Sequence, residues 1–439
     1  MTDHHSTAPT GAPTTDDDPS AAPTGALRTD DDPSPAPTTV DDAAASGPVP
    51  EASAPHGPDQ TDRVILRTAA EEAAASGPGA VLVVDDATGE LTAAALAEVG
   101  TVGEATSAVP GTPVISWTAS HAATLALRAR FSEEVTEGRL EVPGGDHPAS
   151  LAEIAAETRP RLALMRLPKA LADLEHRAVE IARAGDVTLV AGGRVKHMTR
   201  TQNVVLGGVF TEVHASRGLG KSRALVATAA REDLAPLPIA RGTAHLPVRG
   251  TASALELRAI GGVFGGATAD AGSLLLLEAL DRHLLTREEA EAAPLARAID
   301  LGSGNGLLTA YLAAALPETP VLGSDDDADA VASTRATLDA YGLDRESTDV
   351  TWDDSLFRVA DRSADLVLLN PPFHDGTAVD ATLVQGLLDA VARVLRPGGE
   401  LWFVHNSSLR YRTEVERRIG PVRQRARDRR FTVLSAERT

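Results

Sequence analysis

AIDLGSGNG at Ala298–Gly306 and LVLLNPPF at Leu366–Phe373 decide how this chain folds. The first is a short apolar strand, Ala298-Ile299, that meets an acid, Asp300, and then a loop with Gly302, Gly304 and Gly306. The second is an apolar strand, Leu366–Leu369, that ends in Asn370-Pro371-Pro372-Phe373. In an open α/β sheet, ligands sit beyond the carboxyl ends of the strands, where glycines let backbone come close to them. A glycine-rich turn alone is a weak signal. Its pairing with a later Asn-Pro-Pro-Phe is far more specific. The loop has no Lys-Ser/Thr pair, so it is not a P-loop, and its glycines alternate instead of following the G-x-G-x-x-G spacing of nicotinamide enzymes.

Composition sets the frame. A chain of 439 residues has room for two or three domains. The net charge is −21, aromatic residues make up 3%, and Lys169, Lys196 and Lys221 are the only lysines. There are no cysteines, which excludes disulfides, cysteine metal sites and thiol nucleophiles. The sequence has no long apolar run and no basic-then-apolar leader, so a soluble, cytoplasmic protein without membrane contact is expected.

Residues 1–60 are rich in Pro, Ala, Thr and Asp and contain a repeat, Ala8–Ser20 recurring at Ala22–Ser34. Such a segment cannot bury enough apolar surface to offset its ordering entropy, so an acidic, disordered tail is expected. From Arg63 the pattern turns globular. Apolar runs at Ala80–Val84, Val114–Trp117, Leu162–Met165 and Val187–Ala191 alternate with helical stretches, the signature of a parallel sheet covered on both faces. The C-terminal half has the same rhythm. A strand at Leu255–Ile260, a loop GGVFGGATADAG at Gly261–Gly272 and an apolar helix from Ser273 precede the Ala298 strand.

The paired motifs resemble the class I S-adenosylmethionine-dependent methyltransferases that modify exocyclic amino groups. This resemblance implies a doubly wound, Rossmann-like α/β fold and S-adenosylmethionine as cofactor. It places Asp300 at the methionine amino group and Gly302, Ser303, Gly304 and Gly306 along the amino acid moiety. Asp325 is the first choice for the ribose hydroxyls, with Asp326 second, while Asp326 and Asp327 also suit a cap on the helix from Ala328. Asp353-Asp354 falls where an acid accepts from the adenine amine, and Asp354 fits that position better. The exocyclic amine of a base is a poor nucleophile because its lone pair is delocalised into the ring. Asn370 and the Pro371 carbonyl can accept its N–H bonds and aim that lone pair at the methyl group. Pro372 and Phe373 complete the catalytic set, with Phe373 offering a face for stacking the base. Asn370 borders the cofactor as well, and His374 follows within reach of the base or a phosphate. No metal site is expected.

In the N-terminal half the corresponding positions read DDATGE and LMRLPK. Residues 61–240 are therefore read as a degenerate methyltransferase-like domain and 241–439 as the catalytic one. Arg194, Lys196, His197 and Arg200, with Arg217, Lys221 and Arg223, form a basic cluster suited to RNA docking. Nine arginines against three acids from Arg410 to Arg430 form a second positive region.

AIDLGSGNG, DDDADAVASTRATL, NPPFHDG, LRPGGELWFVHNSSLRY and FTVLSA together are similar to the bacterial ribosomal RNA guanine-N2 methyltransferases. That family carries two tandem methyltransferase-like domains, of which the C-terminal one binds cofactor. LALMRLPKALADLE at Leu162–Glu175 is more similar to the large-subunit (23S) type than to the small-subunit (16S) type. The expected activity is methylation of a guanine N2 amine in 23S rRNA by a monomer. The alternatives are the 16S enzyme or a protein glutamine-N5 methyltransferase, which also uses Asn-Pro-Pro with an aromatic.

Overall fold

The short apolar runs become the central strands of two sheets, and the alanine- and leucine-rich stretches between them become the covering helices. The computed structural model describes residues 57–76, 79–102, 114–371 and 378–439. Most of the expected tail lies outside these residues. Its last members do not continue it, because Asp59 accepts the N–H groups of Thr61 at 2.7 Å and Asp62 at 3.0 Å and so caps the first helix.

The N-terminal half runs α1 (Gln60–Ser76), β1 (Val81–Val84), α2 (Glu90–Val102), β2 (Val114–Trp117), α3 (His121–Arg130), α4 (Ser132–Thr136) and β3 (Leu140–Glu141). It continues with α5 (Leu151–Thr158), β4 (Leu162–Arg166), α6 (Leu171–Ala182), β5 (Thr188–Arg194), α7 (Arg200–Val209), β6 (Phe210–Ala215) and β7 (Ser222–Ala230). A hairpin, β8 (Ala240–Val248) with β9 (Thr251–Ala259), leads into α8 (Ala271–Glu289). The C-terminal half runs β10 (Ala298–Leu301), α9 (Leu307–Ala315), β11 (Val321–Asp325), α10 (Ala328–Ala340), β12 (Thr348–Trp352) and β13 (Ala364–Leu369). It closes with α11 (Ala378–Val394), β14 (Leu395–Asn406), α12 (Arg412–Arg418), β15 (Val422–Arg427) and β16 (Phe431–Glu437).

Both sheets have seven strands in the same order, β3-β2-β1-β4-β5-β7-β6 and β12-β11-β10-β13-β14-β16-β15. In each, five strands run parallel and the last two pair antiparallel. The fold is thus a tandem of two class I, Rossmann-like units. The boundary expected after residue 240 falls on the first residue of the hairpin.

Register aligns the two halves residue by residue. Val84 faces Trp117 and Met165, as Leu301 faces Ser324 and Leu369. Asp85 is then the counterpart of Gly302, Gly89 of Gly306 and Arg166 of Asn370. The backbone agrees, with φ of +54° at Asp85 and +72° at Gly89 against +83° at Gly302 and +81° at Gly306.

One apolar cluster runs through both halves, from Leu82 and Trp117 through Leu246 and Leu255 of the hairpin and Leu276 of α8 to Ala298 and Trp352. Polar contacts reinforce it. The Trp352 indole N–H is shared between the carbonyls of Ala119, at 2.9 Å, and Asp326, at 2.8 Å. Arg177 of α6, 3% exposed, donates to Asp85 in its own half at 3.0 Å and to Asp329 of α10 at 2.8 Å. The C-terminal arginines divide between α12 and the edge strand β15. Arg418 pairs with Asp389, Arg425 lies over the Trp402 ring at 5.0 Å, and Arg423, Arg427 and Arg429 are exposed.

Candidate active site

Strand β10 carries Asp300 into the protein with no exposed surface. One carboxylate oxygen accepts the Thr309 hydroxyl at 2.6 Å, and the other is buried without a partner among the described residues. Burial, opposed by the Thr309 hydrogen bond and reinforced by the Asp325 charge, pushes Asp300 up to about 7. A buried carboxylate with an unused acceptor calls for a cation.

The loop that follows is shaped by its glycines. Gly302 and Gly304 have φ of +83° and +54°, and no atom lies within 4 Å of where their Cβ atoms would stand. Backbone here is bare toward the ligand side. Gly306 has the opposite reason, since a Cβ would lie 2.9 Å from Cα of Thr334. Ser303, expected among the cofactor contacts, is buried and its hydroxyl receives that of Thr334 at 3.0 Å. Its side chain therefore packs against α10, leaving only its backbone for a ligand. Asn305, which sequence reasoning passed over, donates to the carbonyls of Gly266 at 2.8 Å and Thr268 at 3.0 Å. It ties the glycine loop to the loop before α8, where Phe264 is 53% exposed and not part of the core.

The acidic run after β11 separates into three roles. Asp325 lies over the glycine loop, accepting the N–H of Gly304 at 2.9 Å and of Asp327 at 3.0 Å. Each oxygen keeps acceptor capacity for a ribose hydroxyl. Asp326, the second choice for the ribose, turns to the other half. Its carboxylate accepts the Ser120 hydroxyl at 2.7 Å and the Ala122 N–H at 2.7 Å, at the N-terminus of α3 in the other half. Asp327 caps α10, accepting from Asp329 and Ala330.

Of the pair after β12, Asp353 is 1% exposed and accepts the N–H groups of Phe357 and Arg358 at 3.1 and 3.0 Å. It closes a turn. Asp354 is half-buried at the rim, and its N–H donates to His121. Asn370 ends β13 with its Nδ2 donating to Asp270 at 3.1 Å and Ser273 at 2.8 Å, and its oxygen has no partner among the described residues. Pro371 is buried, while Pro372, Phe373 and His374 lie outside the described residues. Asp300, Asp325, Asp270 and Asn370 thus meet at the carboxyl ends of three neighbouring strands. No group of His, Asp and Glu able to hold a metal occurs among the described residues.

The same position in the N-terminal half is filled by protein. Asp86 accepts the N–H groups of Gly89 at 3.1 Å and Thr92 at 2.8 Å, and Asp85 accepts from Ala119 and Arg177. The Arg177 guanidinium lies over the Trp117 ring at 4.7 Å. Where Gly302 and Gly304 leave open space, their counterparts Asp85 and Ala87 carry side chains.

The unpartnered Asp300 oxygen, the bare glycine backbone and the acids around it fit S-adenosylmethionine, which carries an ammonium group and a sulfonium. Comparison with known proteins points the same way. Residues 254–435 match the methyltransferase small domain, and residues 56–231 match the RLMG N-terminal domain. A Streptomyces coelicolor ribosomal RNA large subunit methyltransferase G is 32% identical over 70% of this chain and 81% of its own length. A Pseudomonas aeruginosa ribosomal RNA small subunit methyltransferase C is 37% identical over 42% of this chain and 52% of its own length. Among solved structures, the T. thermophilus 16S rRNA N2 G1207 methyltransferase, in complex with AdoMet and guanosine, matches with a TM-score of 0.65 at 22% identity. It covers 87% of this chain and 92% of that one. Matched along both halves and covering four-fifths of the Streptomyces relative, this chain is an S-adenosylmethionine-dependent methyltransferase of the ribosomal RNA large subunit methyltransferase G family.

Proposed function

We propose that this protein methylates the exocyclic N2 amine of a guanine in 23S ribosomal RNA, and that Asn370 and Pro371 hold that amine. The observation that carries the reading is the Asn370 amide at the end of β13, whose nitrogen is held by Asp270 and Ser273 and whose oxygen has no partner among the described residues. S-adenosylmethionine, when bound, supplies an electrophilic methyl group. Asp300 and the backbone of Gly302–Gly306 hold its amino acid end, Asp325 its ribose, and Asp354 the adenine side. The Asn370 oxygen and the Pro371 carbonyl accept the two amine N–H bonds. That directs the nitrogen lone pair and stabilises the positive charge that develops on nitrogen. No strong base is needed, since the proton leaves after transfer. Phe373, outside the described residues, is assigned from the sequence alone as a face for stacking the base.

Substrate selection is assigned to the N-terminal half. Arg194, Lys196, His197, Arg200, Arg217, Lys221 and Arg223 are all exposed. The β5–β7 pairing brings Arg194 opposite Ser222 and Gly193 opposite Arg223, which places charges from both strands where β5 ends and β7 begins. A positive region of this kind binds phosphates and offsets the net charge of −21. A monomer supplies every residue named. No helix among the described residues is long and apolar enough to cross a membrane.

The test is transfer of labelled methyl to protein-free 23S and 16S rRNA followed by nucleoside analysis. N2-methylguanosine in 23S alone is expected. The same product in 16S alone would overturn the choice of subunit, and label only in protein glutamine would overturn the RNA reading. Asn370→Ala is expected to abolish transfer while S-adenosylmethionine still binds.

A further inference from the structure

Helix α8 holds Asn370 from behind. Its Nδ2 donates to Oδ2 of Asp270, the N-cap, at 3.1 Å and to Oγ of Ser273 at 2.8 Å. A carboxylate only accepts hydrogen bonds, so the amide nitrogen must face Asp270 and the amide oxygen must face away. The two ways round of a primary amide have nearly the same shape, and only the partners choose between them. Asp270 is itself fixed, because the same Oδ2 accepts the Ser273 N–H at 2.9 Å.

The N-terminal half repeats the arrangement in different chemistry. Arg166, the counterpart of Asn370, lies 2.9 Å from Asp59 and 2.6 Å from Asp62. These are the N-cap and third residue of α1, as Asp270 and Ser273 are of α8. Both halves therefore tie the end of a strand to a helix N-terminus. Arginine makes the tie with donors alone and has no acceptor to offer at its other side. Asparagine makes the same tie and keeps a carbonyl oxygen on the opposite side.

We infer that Asp270 and Ser273 are positioning residues for methyl transfer, locking the Asn370 amide so that its oxygen meets the substrate amine. This rests on the reading of Asn370 as the amine clamp. With the amide turned over, Nδ2 would present N–H to N–H and transfer would fail. Variants of Asp270 and Ser273 leave Asp300, Asp325 and the glycine loop untouched, so cofactor affinity should change less than transfer does.

The test uses the full-length chain, reading kcat for methyl transfer to rRNA, the Kd for S-adenosylmethionine and the unfolding midpoint. Asp270→Ser retains an oxygen for the helix cap but is too short to reach Asn370, and Ser273→Ala removes the second acceptor. The double variant is expected to lose about tenfold or more in kcat, the scale of a charge-assisted hydrogen bond, with Kd changed less than about twofold. Ser273→Ala alone leaves the cap untouched and should lose about threefold or more, whereas Ser273→Thr, which restores the hydroxyl, should recover most of it. An unchanged kcat in Ser273→Ala and in the double variant would overturn the proposal, as would a kcat loss matched by equal losses of cofactor affinity and folding. Asn370→Ala separates the two ideas. If it remains active the clamp reading fails, and if it is inactive while the double variant is not, only the lock fails.

Discussion

Replacing Arg177 with methionine should destabilise the whole protein although no atom of Arg177 is needed for chemistry. The guanidinium is buried between three acids, with Asp85 at 3.0 Å, Asp329 at 2.8 Å and Glu180 at 3.7 Å. Methionine keeps the packing against Trp117 but strands those carboxylates. Removing one partner of a buried pair costs about 3–5 kcal/mol. Two features place this site at the bottom of that range. The Asp85 side chain is 37% exposed, and His176 lies 3.6 Å from Asp329 and remains to compensate it. A loss of about 3 kcal/mol is expected, with about 1–2 kcal/mol regained when Asp329→Asn removes the stranded charge. The loss should depend on pH. Burial lowers the His176 pKa, but the hydrogen bond to Asp329 and the charges of Glu180 and Asp329 outweigh it and leave it raised. A raised histidine contributes its stability fully below its ordinary range and loses it as pH rises through the folded value. The Arg177→Met penalty should therefore be larger near pH 8 than near pH 5.5. Urea unfolding at fixed m measures it. Because α10 follows the Asp325 loop directly, cofactor affinity should fall with stability. A variant within about 1 kcal/mol of wild type, or one that Asp329→Asn does not partly restore, would refute the reasoning.

Two further outcomes follow from the candidate site. Asp300, raised to about 7 by burial, must lose a proton to receive a cation, so the affinity for S-adenosylmethionine should rise between about pH 6 and pH 8. Calorimetry in buffers of different ionisation enthalpy should show the released proton, and Asp300→Asn should weaken binding and flatten the pH dependence. Changing Arg194, Lys196 and Lys221 to glutamine should weaken rRNA binding and lower its salt slope by about 2, with cofactor affinity unchanged. An unaltered slope would take RNA docking away from this region.

The motifs that define the fold were legible because each is local. The glycine loop, the Asn-Pro-Pro step and the central strands lie in continuous runs of sequence. The destinations of individual carboxylates were legible only in part, since Asp327 caps the helix from Ala328 as expected while Asp326 turns instead to the N-terminus of α3. Asp325, Asp326 and Asp327 are consecutive, yet one faces the glycine loop, one caps a helix far away in sequence and one caps its own. Asp353 and Asp354 divide in the same way. Spacing gives the position of an acid along the backbone but not the face its side chain takes. Asp270 and Ser273 were unreadable as partners of Asn370 for a related reason, since tertiary packing alone brings them together. The short β3, and β6 and β7, which close the N-terminal sheet, also escaped reading. A two-residue strand carries no periodicity.

The left-handed residues at Asp85 and Gly89 show a further thing about duplicated proteins. Asp85 keeps the backbone conformation of Gly302 although its loop no longer leaves room for a ligand. The turn falls where it does because the strands on either side are held in register, and register is maintained by the sheet whether or not anything binds. The shape of a binding loop is in this sense inherited from the scaffold, and only its contents are free to drift. A loop can carry side chains where its counterpart leaves open space and still keep the same outline.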